Sequence, residues 1–163
     1  MKRFILFVAC VIASVCGIGY IAVGDPTVFK NNKMFNDAMV QTTTAAVKFN
    51  DVVTFDWDYV YVFNGRQNKS DIEAVAGVSH RYIVDTKYDD CQEILFIKDG
   101  KVVCCVNGRI YSMGYELNPE DEGLDYRKGA RAEEMEFEVV NVENVTHYNQ
   151  MVVKVPVTDP GIR

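Results

Sequence analysis

The chain has 163 residues, of which 48% are hydrophobic and 25% are charged, and its formal net charge is −6. These values are typical of one globular domain and exclude collagen-like, low-complexity and long disordered chains. A nucleic-acid binder of the usual basic kind needs a surplus of Lys and Arg to contact phosphates. Nucleic acid is therefore not an expected partner.

The N-terminal segment carries the clearest targeting signal. Lys2 and Arg3 precede 20 uncharged residues, 4–23, a length that just allows a helix to cross a bilayer of about 30 Å. The two basic residues should stay in the cytoplasm, which places the rest of the chain outside. Residues 4–23 thus predict a single-pass anchor in the cell membrane. The alternative is secretion after cleavage following Gly24, because Ala22-Val23-Gly24 fits the small-x-small pattern of a signal-peptidase site.

The domain organisation follows from this segment. Residues 1–24 form a signal-anchor or signal peptide, residues 25–30 a linker that begins with Asp25-Pro26, and residues 31–163 one extracytoplasmic α+β domain. Two of the 17 basic residues and none of the 23 acidic ones lie in residues 1–24, so the remainder has a net charge of −8. That remainder keeps three cysteines, an odd number that argues against a disulfide framework.

Two helices are predicted after the linker. Asn31 or Asn32 can cap a helix of about residues 32–48, whose apolar residues recur at helical spacing. Ser70 and Glu73 form a capping box before a second helix, residues 71–76, which should end at Gly77.

About six strands are predicted from alternation and turn signals. Residues 55–63 alternate five aromatic side chains with Asp and Val, which places the aromatic residues on one face. Asp99-Gly100 predicts a hairpin with a type I′ turn, in which Leu95 lies opposite Cys104. Asn107-Gly108 predicts another turn. The expected strands are residues 55–63, 80–86, 94–98, 101–106, 134–145 and 150–157. Residues 109–113 follow the second turn, and residues 114–133 are expected to form a long loop.

Hairpins dominate this pattern, which favours an α+β fold. We expect a mainly antiparallel sheet of about six strands with two helices on one face, preceded by the N-terminal hydrophobic helix. Cys104 and Cys105 should point to opposite faces of their strand, and Cys91 lies too far along the ladder to pair with either. All three are therefore expected to be free.

One pair of acidic residues has a spacing that suits catalysis. Asp56 and Asp58 flank Trp57, and strand geometry would place the two carboxylates about 7 Å apart. Inverting glycosidases use two carboxylates at such a separation. The favoured interpretation is nevertheless that the acids face solvent while Trp57 belongs to the aromatic core. The candidate binding residues are Trp57, Asp56 and Asp58, with Tyr115 and Tyr126 from the long loop.

Catalytic and metal-binding motifs are otherwise missing from the sequence. His80 and His147 have no metal-ligand spacing, and no Cys-x-x-Cys, P-loop or nucleophile-elbow motif occurs. No cofactor and no metal site are expected.

Three segments resemble small uncharacterised exported proteins of Gram-positive bacteria: residues 55–63, the helix from Ser70 to Gly77, and the hairpin at Asp99-Gly100. The resemblance covers roughly residues 52–106 and implies location and fold. The layout is also similar to the small two-layer modules of the outer-membrane assembly lipoprotein and β-lactamase-inhibitor type.

These features predict a membrane-tethered, extracytoplasmic binding or inhibitor-like module without catalytic activity. Its expected partners are the membrane, through residues 4–23, and another envelope protein or a surface polymer. One alternative is a hydrolase of cell-surface polymers that uses Asp56 and Asp58. Another is an accessory subunit of an envelope complex.

Overall fold

The computed structural model describes residues 24–42, 46–119, 126–133, 135–141 and 149–154. The expected anchor, residues 4–23, and His147 lie outside the described residues. Among the helices of the described ranges, none has the length and apolar character needed to cross a bilayer. The helices are α1 (Pro26–Gln41), α2 (Phe49–Val52), α3 (Lys69–Ala76) and α4 (Ile110–Met113). The strands are β1 (Ala46–Lys48), β2 (Tyr59–Asn64), β3 (Cys91–Lys98), β4 (Lys101–Arg109), β5 (Tyr115–Pro119), β6 (Tyr126–Ala130), β7 (Glu136–Asn141) and β8 (Asn149–Lys154).

The strands form two four-stranded sheets. In sheet I the order is β4-β3-β2-β6, and all neighbours are antiparallel. In sheet II the order is β1-β7-β8-β5, and only the β5–β8 pair is parallel. The α+β class is confirmed, but the strands are divided between two sheets instead of forming one sheet of about six.

Both faces of sheet I are covered, which corrects the expectation of helices on one face only. On one face, residues such as Phe96 pack against Phe35 and Met39 of α1. On the other face, residues such as Leu95 pack with Ile72 of α3 and with Ile83. Strand β3 is therefore buried from Cys91 to Ile97, as expected for a strand enclosed on both sides.

Helix α1 begins earlier than its apolar periodicity suggests. Asp25 is its N-cap, and the Oδ1 atom of Asp25 accepts hydrogen bonds from the N–H groups of Thr27 (2.9 Å) and Val28 (3.4 Å). Pro26 occupies the first helical position, where its missing N–H has no intrahelical acceptor to lose. The predicted linker 25–30 is therefore the cap and first turn of α1, and the predicted helix 32–48 ends at Gln41 instead.

Helix α1 also covers the edge of sheet I. The Nδ2 atom of Asn31 donates to the carbonyl of Val103 (2.9 Å), and Asn32 donates to the carbonyl of Cys105 (2.7 Å) and accepts from the N–H of Cys105 (2.8 Å). These side-chain bonds satisfy backbone groups at the edge of β4 that a further strand would otherwise pair with. Residues 80–86, predicted as a strand, accordingly form irregular structure with one isolated bridge, Gln67 to Thr86.

The Asp99-Gly100 hairpin is confirmed. Both turn residues have positive φ, 49° for Asp99 and 68° for Gly100, as a type I′ turn requires. A β-bulge shifts the register between Phe96 and Ile97, so that Leu95 pairs with Cys105 and not with Cys104. The sequence gives no local signal for this inserted residue.

The three described cysteines are free and buried, as predicted. Cys104 belongs to the core on one face of sheet I and Cys105 to the core on the other face. The adjacent positions on one strand explain this separation, because successive side chains of a strand point to opposite sides.

Several turn and loop predictions are wrong because long-range pairing decides these segments. Asn107 and Gly108 continue β4 opposite β3, and residues 109–113 end in α4. The predicted loop 114–133 contains β5, β6 and a short 3-10 helix. Helix α3 does end at Gly77, with φ of 69°, as predicted. Its N-cap is Asn68 and not Ser70, and Glu73, the expected partner in the capping box, instead accepts hydrogen bonds from Ser79 and from the N–H of His80.

Candidate ligand groove

The acidic pair Asp56 and Asp58 lies just before β2, and each carboxylate is held by a cation. Asp56 accepts from Arg131 (2.9 Å), and Asp58 accepts from the Nζ atom of Lys98 (2.7 Å) and from the N–H of Asp99 (2.8 Å). The hydrogen bond from Lys98, followed by that from Asp99, lowers the pKa of Asp58 below its ordinary value. A glycosidase acid needs a raised pKa instead. Asp58 is therefore unsuited to donate a proton.

The predicted aromatic residues lie mainly in the core. Trp57 is 1% exposed, and its ring packs edge-on against Phe49 and Phe96, with centroids 5.7 and 5.6 Å away. The prediction that Trp57 is buried is confirmed. Tyr115 is fully buried, and Tyr126 is half-buried beside Phe63. The side chains of Trp57 and Tyr115 are enclosed by protein, so the surface available to a ligand lies elsewhere.

A groove of about 330 Å³ opens between α1, the segment 81–84 and β4. Amide, aromatic, aliphatic and guanidinium side chains line it. They are Asn32, Asn36, Arg81, Tyr82, Val84, Cys105, Val106 and Asn107.

The fold positions the amides of the groove through specific hydrogen bonds. Asn36 accepts from the hydroxyl of the buried Tyr115 (2.5 Å), which fixes its orientation, while its Nδ2 atom donates to no atom of the described residues. Asn107 donates to the carbonyl of Tyr82 (3.2 Å) and so holds the segment 81–84 against β4. The groove therefore has preorganised walls and an amide donor without a protein acceptor.

Arg81 supplies the charge of the groove. Its side chain is exposed and lies over the ring of Tyr82, with the guanidinium carbon 5.1 Å from the ring centroid. The Nη2 atom is 3.3 Å from the hydroxyl of Tyr82. No Asp or Glu among the described residues forms an ion pair with it. A planar guanidinium without an acidic partner is well suited to bind a carboxylate or a phosphate.

A buried acid–thiol pair lies behind the groove. The Sγ atom of Cys105 is 3.7 Å from the Oε1 atom of Glu93 and 3.5 Å from the carbonyl oxygen of Tyr82. Glu93 is fully buried, and its Oε2 atom has no hydrogen-bond partner in the described part of the chain. Burial raises the pKa of Glu93 to about 7, although a backbone hydrogen bond from Val84 opposes this change.

The thiol of this pair is not a nucleophile at neutral pH. Burial raises the pKa of Cys105 far above its usual range, and the neighbouring Glu93 adds to this effect. Only the thiolate attacks or binds metal, so a thiol held protonated is inert. In the described ranges, no group of three or more His, Cys, Asp or Glu residues is placed to hold a metal ion.

The chain enters the domain at the mouth of this groove. Gly24 has φ of 87°, and a Cβ atom there would overlap the hydroxyl of Tyr82 and lie 2.8 Å from the Nη2 atom of Arg81. The N–H of Asp25 donates to the same hydroxyl (3.1 Å). The residue that follows the apolar segment 4–23 therefore touches the groove.

Arg81 and Glu93 are not among the site residues predicted from the sequence. Arg81 lay in a segment predicted to be a strand, and its position depends on contacts between residues distant in sequence. The sequence did contain a signal for Glu93, because residues 93, 95 and 97 of a strand point to the same face. Leu95 and Ile97 both pack in the core on that face of β3.

No protein-family model matches the chain, and neither the curated proteins nor the solved structures contain a significant match.

Proposed function

We propose that this protein is a membrane-tethered, extracytoplasmic binding module without catalytic activity, and that the groove at Arg81 binds an anionic group of the cell envelope. The hydrophobic segment 4–23 serves as the tether, with Lys2 and Arg3 on the cytoplasmic side. The resemblance to exported proteins of Gram-positive bacteria agrees with this location.

The unpartnered guanidinium of Arg81 is the observation that carries the proposal. The domain has an excess of acidic residues, and the arginines Arg66, Arg109 and Arg131 form ion pairs with Asp89, Asp90 and Asp56. Arg81 has no such partner among the residues that the structure describes, and it lines a groove with a spare amide donor on Asn36. An anionic ligand would complete both interactions.

The chemistry of the surrounding groups favours binding over catalysis. The thiol of Cys105 is held protonated by burial, and the carboxylate of Asp58 is held ionised by Lys98. At neutral pH the thiol of Cys105 is therefore not a nucleophile, and Asp58 is not a general acid. The hydrolase alternative, which needs Asp56 and Asp58, therefore has less support than a binding module.

The test uses the full chain in detergent micelles with ¹⁵N labelling, titrated with sodium phosphate, with sodium acetate and with sodium chloride at matched ionic strength. We expect phosphate or acetate, but not chloride, to shift the side-chain amide signals of Asn36 and Asn107. Arg81→Ala should abolish these shifts.

The matched control is Arg66→Ala, which removes another exposed arginine that does not line the groove. This variant should keep the shifts of Asn36 and Asn107. Equal shifts with all three salts, or shifts that survive Arg81→Ala, would contradict an anion site in the groove.

A specific surface feature favours one alternative, an accessory subunit of an envelope complex. The guanidinium of Arg109 lies between the exposed rings of Tyr88 and Tyr111, 5.0 and 4.5 Å from their centroids, and is fixed by Asp90 (2.8 Å). Rigid Tyr and Arg clusters are common at the centres of protein interfaces. Tyr111→Ala should then weaken co-purification of an envelope protein with the full chain, whereas Tyr59→Ala, a change at another exposed tyrosine, should not.

A further inference from the structure

The tether, the groove and an exposed aromatic side chain meet at one end of α1. A Cβ atom at Gly24 would overlap the hydroxyl of Tyr82 and lie 2.8 Å from the Nη2 atom of Arg81, and Phe29, one turn into α1, is 68% exposed. From this arrangement we infer that the groove mouth binds the phosphate of an anionic lipid in the leaflet that residues 4–23 enter, with Arg81 as the phosphate ligand and Phe29 inserted beside it. This inference rests on the proposed function, because it requires the tether.

The available chain length keeps this surface close to the bilayer. If the membrane span ends at Val23, Gly24 and Asp25 add at most about 7 Å in extended form. The four helical residues from Pro26 to Phe29 rise only about 6 Å. Phe29 therefore lies within about 13 Å of the end of the span, and the headgroup layer on each side of a bilayer is about 5–8 Å thick. Arg81 is closer still, because a Cβ atom built on Gly24 would lie only 2.8 Å from the Nη2 atom of Arg81.

The side chains at this surface suit the headgroup layer. Phe29 has an exposed apolar ring, and the transfer of this ring from water to the acyl boundary is favourable. The hydroxyl of Tyr82 accepts a hydrogen bond from Asp25. A side chain that combines an aromatic ring with a polar group, as tyrosine does, is typical of membrane interfaces. Arg81, beside this ring, can bind phosphate oxygens through two N–H groups.

The charge of this surface differs from that of the rest of the domain. A net charge of −8 after residue 24 disfavours contact with an anionic leaflet. However, Arg81 at the groove mouth and Lys30, the residue after Phe29 in α1, are exposed and form no ion pair within the described ranges, and the nearby acid, Asp25, caps the N–H groups of α1. His80 adds no positive charge at neutral pH, because burial lowers its pKa. An anionic leaflet therefore attracts this surface, which favours an orientation of the domain with α1 and Arg81 toward the bilayer.

The test compares the full chain in nanodiscs of phosphatidylcholine alone and in nanodiscs that also contain phosphatidylglycerol. Hydrogen–deuterium exchange is measured for peptides that cover residues 24–33 and 80–84. Phosphatidylglycerol should slow the exchange of both peptides, with a contribution of about fivefold from each unpaired cation. Arg81→Ala should remove about fivefold of this protection, and Arg66→Ala should remove none. Exchange of β3 in the core should be the same in all samples, which checks the fold.

The outcomes separate this inference from the proposed function. If the chain stays in both kinds of nanodisc but phosphatidylglycerol gives no added protection, the headgroup site is overturned and the tether stands. If the chain elutes apart from the nanodiscs, the tether itself is overturned. If inorganic phosphate protects the same peptides equally in phosphatidylcholine nanodiscs, a soluble anion suffices and the lipid is not the required ligand.

Discussion

Replacing the buried acid Glu93 with glutamine should make the domain more stable at neutral and alkaline pH. Glu93 is fully buried, and its Oε2 atom has no hydrogen-bond partner in the part of the chain that the structure describes. The ionised carboxylate is therefore unfavourable in the folded protein, and burial raises its pKa to about 7 from an ordinary value of 4.5. Glutamine has nearly the same shape and never ionises.

The sign and the size of the effect follow from proton linkage. Between about pH 4.5 and 7 the folded protein holds a proton on Glu93 that the unfolded chain has released, so stability falls as the pH rises through this window. The difference between 7 and 4.5 corresponds to about 3 kcal/mol in the free energy of unfolding, at about 1.36 kcal/mol for each pH unit. Below about pH 4.5 Glu93 is protonated in both the folded and the unfolded protein, so its stabilising contribution is fully present. Above about pH 7 it is ionised in both, and this contribution is lost.

The assay is urea unfolding of the full chain in detergent micelles, followed by the fluorescence of Trp57, the only tryptophan. The free energy of unfolding is measured for the wild type and for Glu93→Gln at about pH 5 and about pH 8. The increase in the free energy of unfolding that Glu93→Gln produces should be about 2–3 kcal/mol larger at the higher pH than at the lower pH. Glu73→Gln is the matched control, because Glu73 has a pKa lowered chiefly by its hydrogen bond from Ser79 and should lose its contribution only in acid. Parallel pH profiles of stability for the wild type and Glu93→Gln would show that the carboxylate of Glu93 is not unfavourable in the folded protein.

Three further predictions concern the core and the edge of sheet I. Trp57→Ala should lower the free energy of unfolding by about 3–5 kcal/mol in urea titration, and unchanged stability with lost anion binding would instead make Trp57 a ligand platform. Thiol titration in non-reducing denaturant should find Cys91, Cys104 and Cys105 all reactive, and a single reactive thiol after residue 24 would overturn this. Asn32→Ala leaves the N–H and carbonyl groups of Cys105 without their side-chain partner and should cost about 1–3 kcal/mol in the same urea assay, whereas full stability would show that α1 is not needed to cover β4.

Local signals in the sequence predicted the elements that depend on local geometry. Gly77 ends α3 because a glycine readily adopts the left-handed conformation found there. Asp99-Gly100 closes its hairpin because both residues tolerate positive φ. These two elements could be predicted because neighbouring residues alone determine them.

The remaining elements depend on pairing between distant residues. Strand β6 follows a segment rich in charge and glycine and forms because the edge of β2 is available to it. The bulge that moves Cys105 opposite Leu95 likewise has no signature in the hairpin itself. Since the groove lies between α1, residues 81–84 and β4, its position required this long-range arrangement. The local alternation of residues 55–63 made Asp56, Trp57 and Asp58 candidate site residues. In the structure the two acids form ion pairs just before β2, and Trp57 lies in the core.

The intact mass of the protein extracted from carbonate-washed membranes tests the tethered module most directly. A tethered module gives a full-length species that begins at Met1, resists extraction with high salt and carbonate, and loses its domain when protease is added outside whole cells. A species that begins at Asp25 and is found mainly in the medium or the periplasm would contradict it.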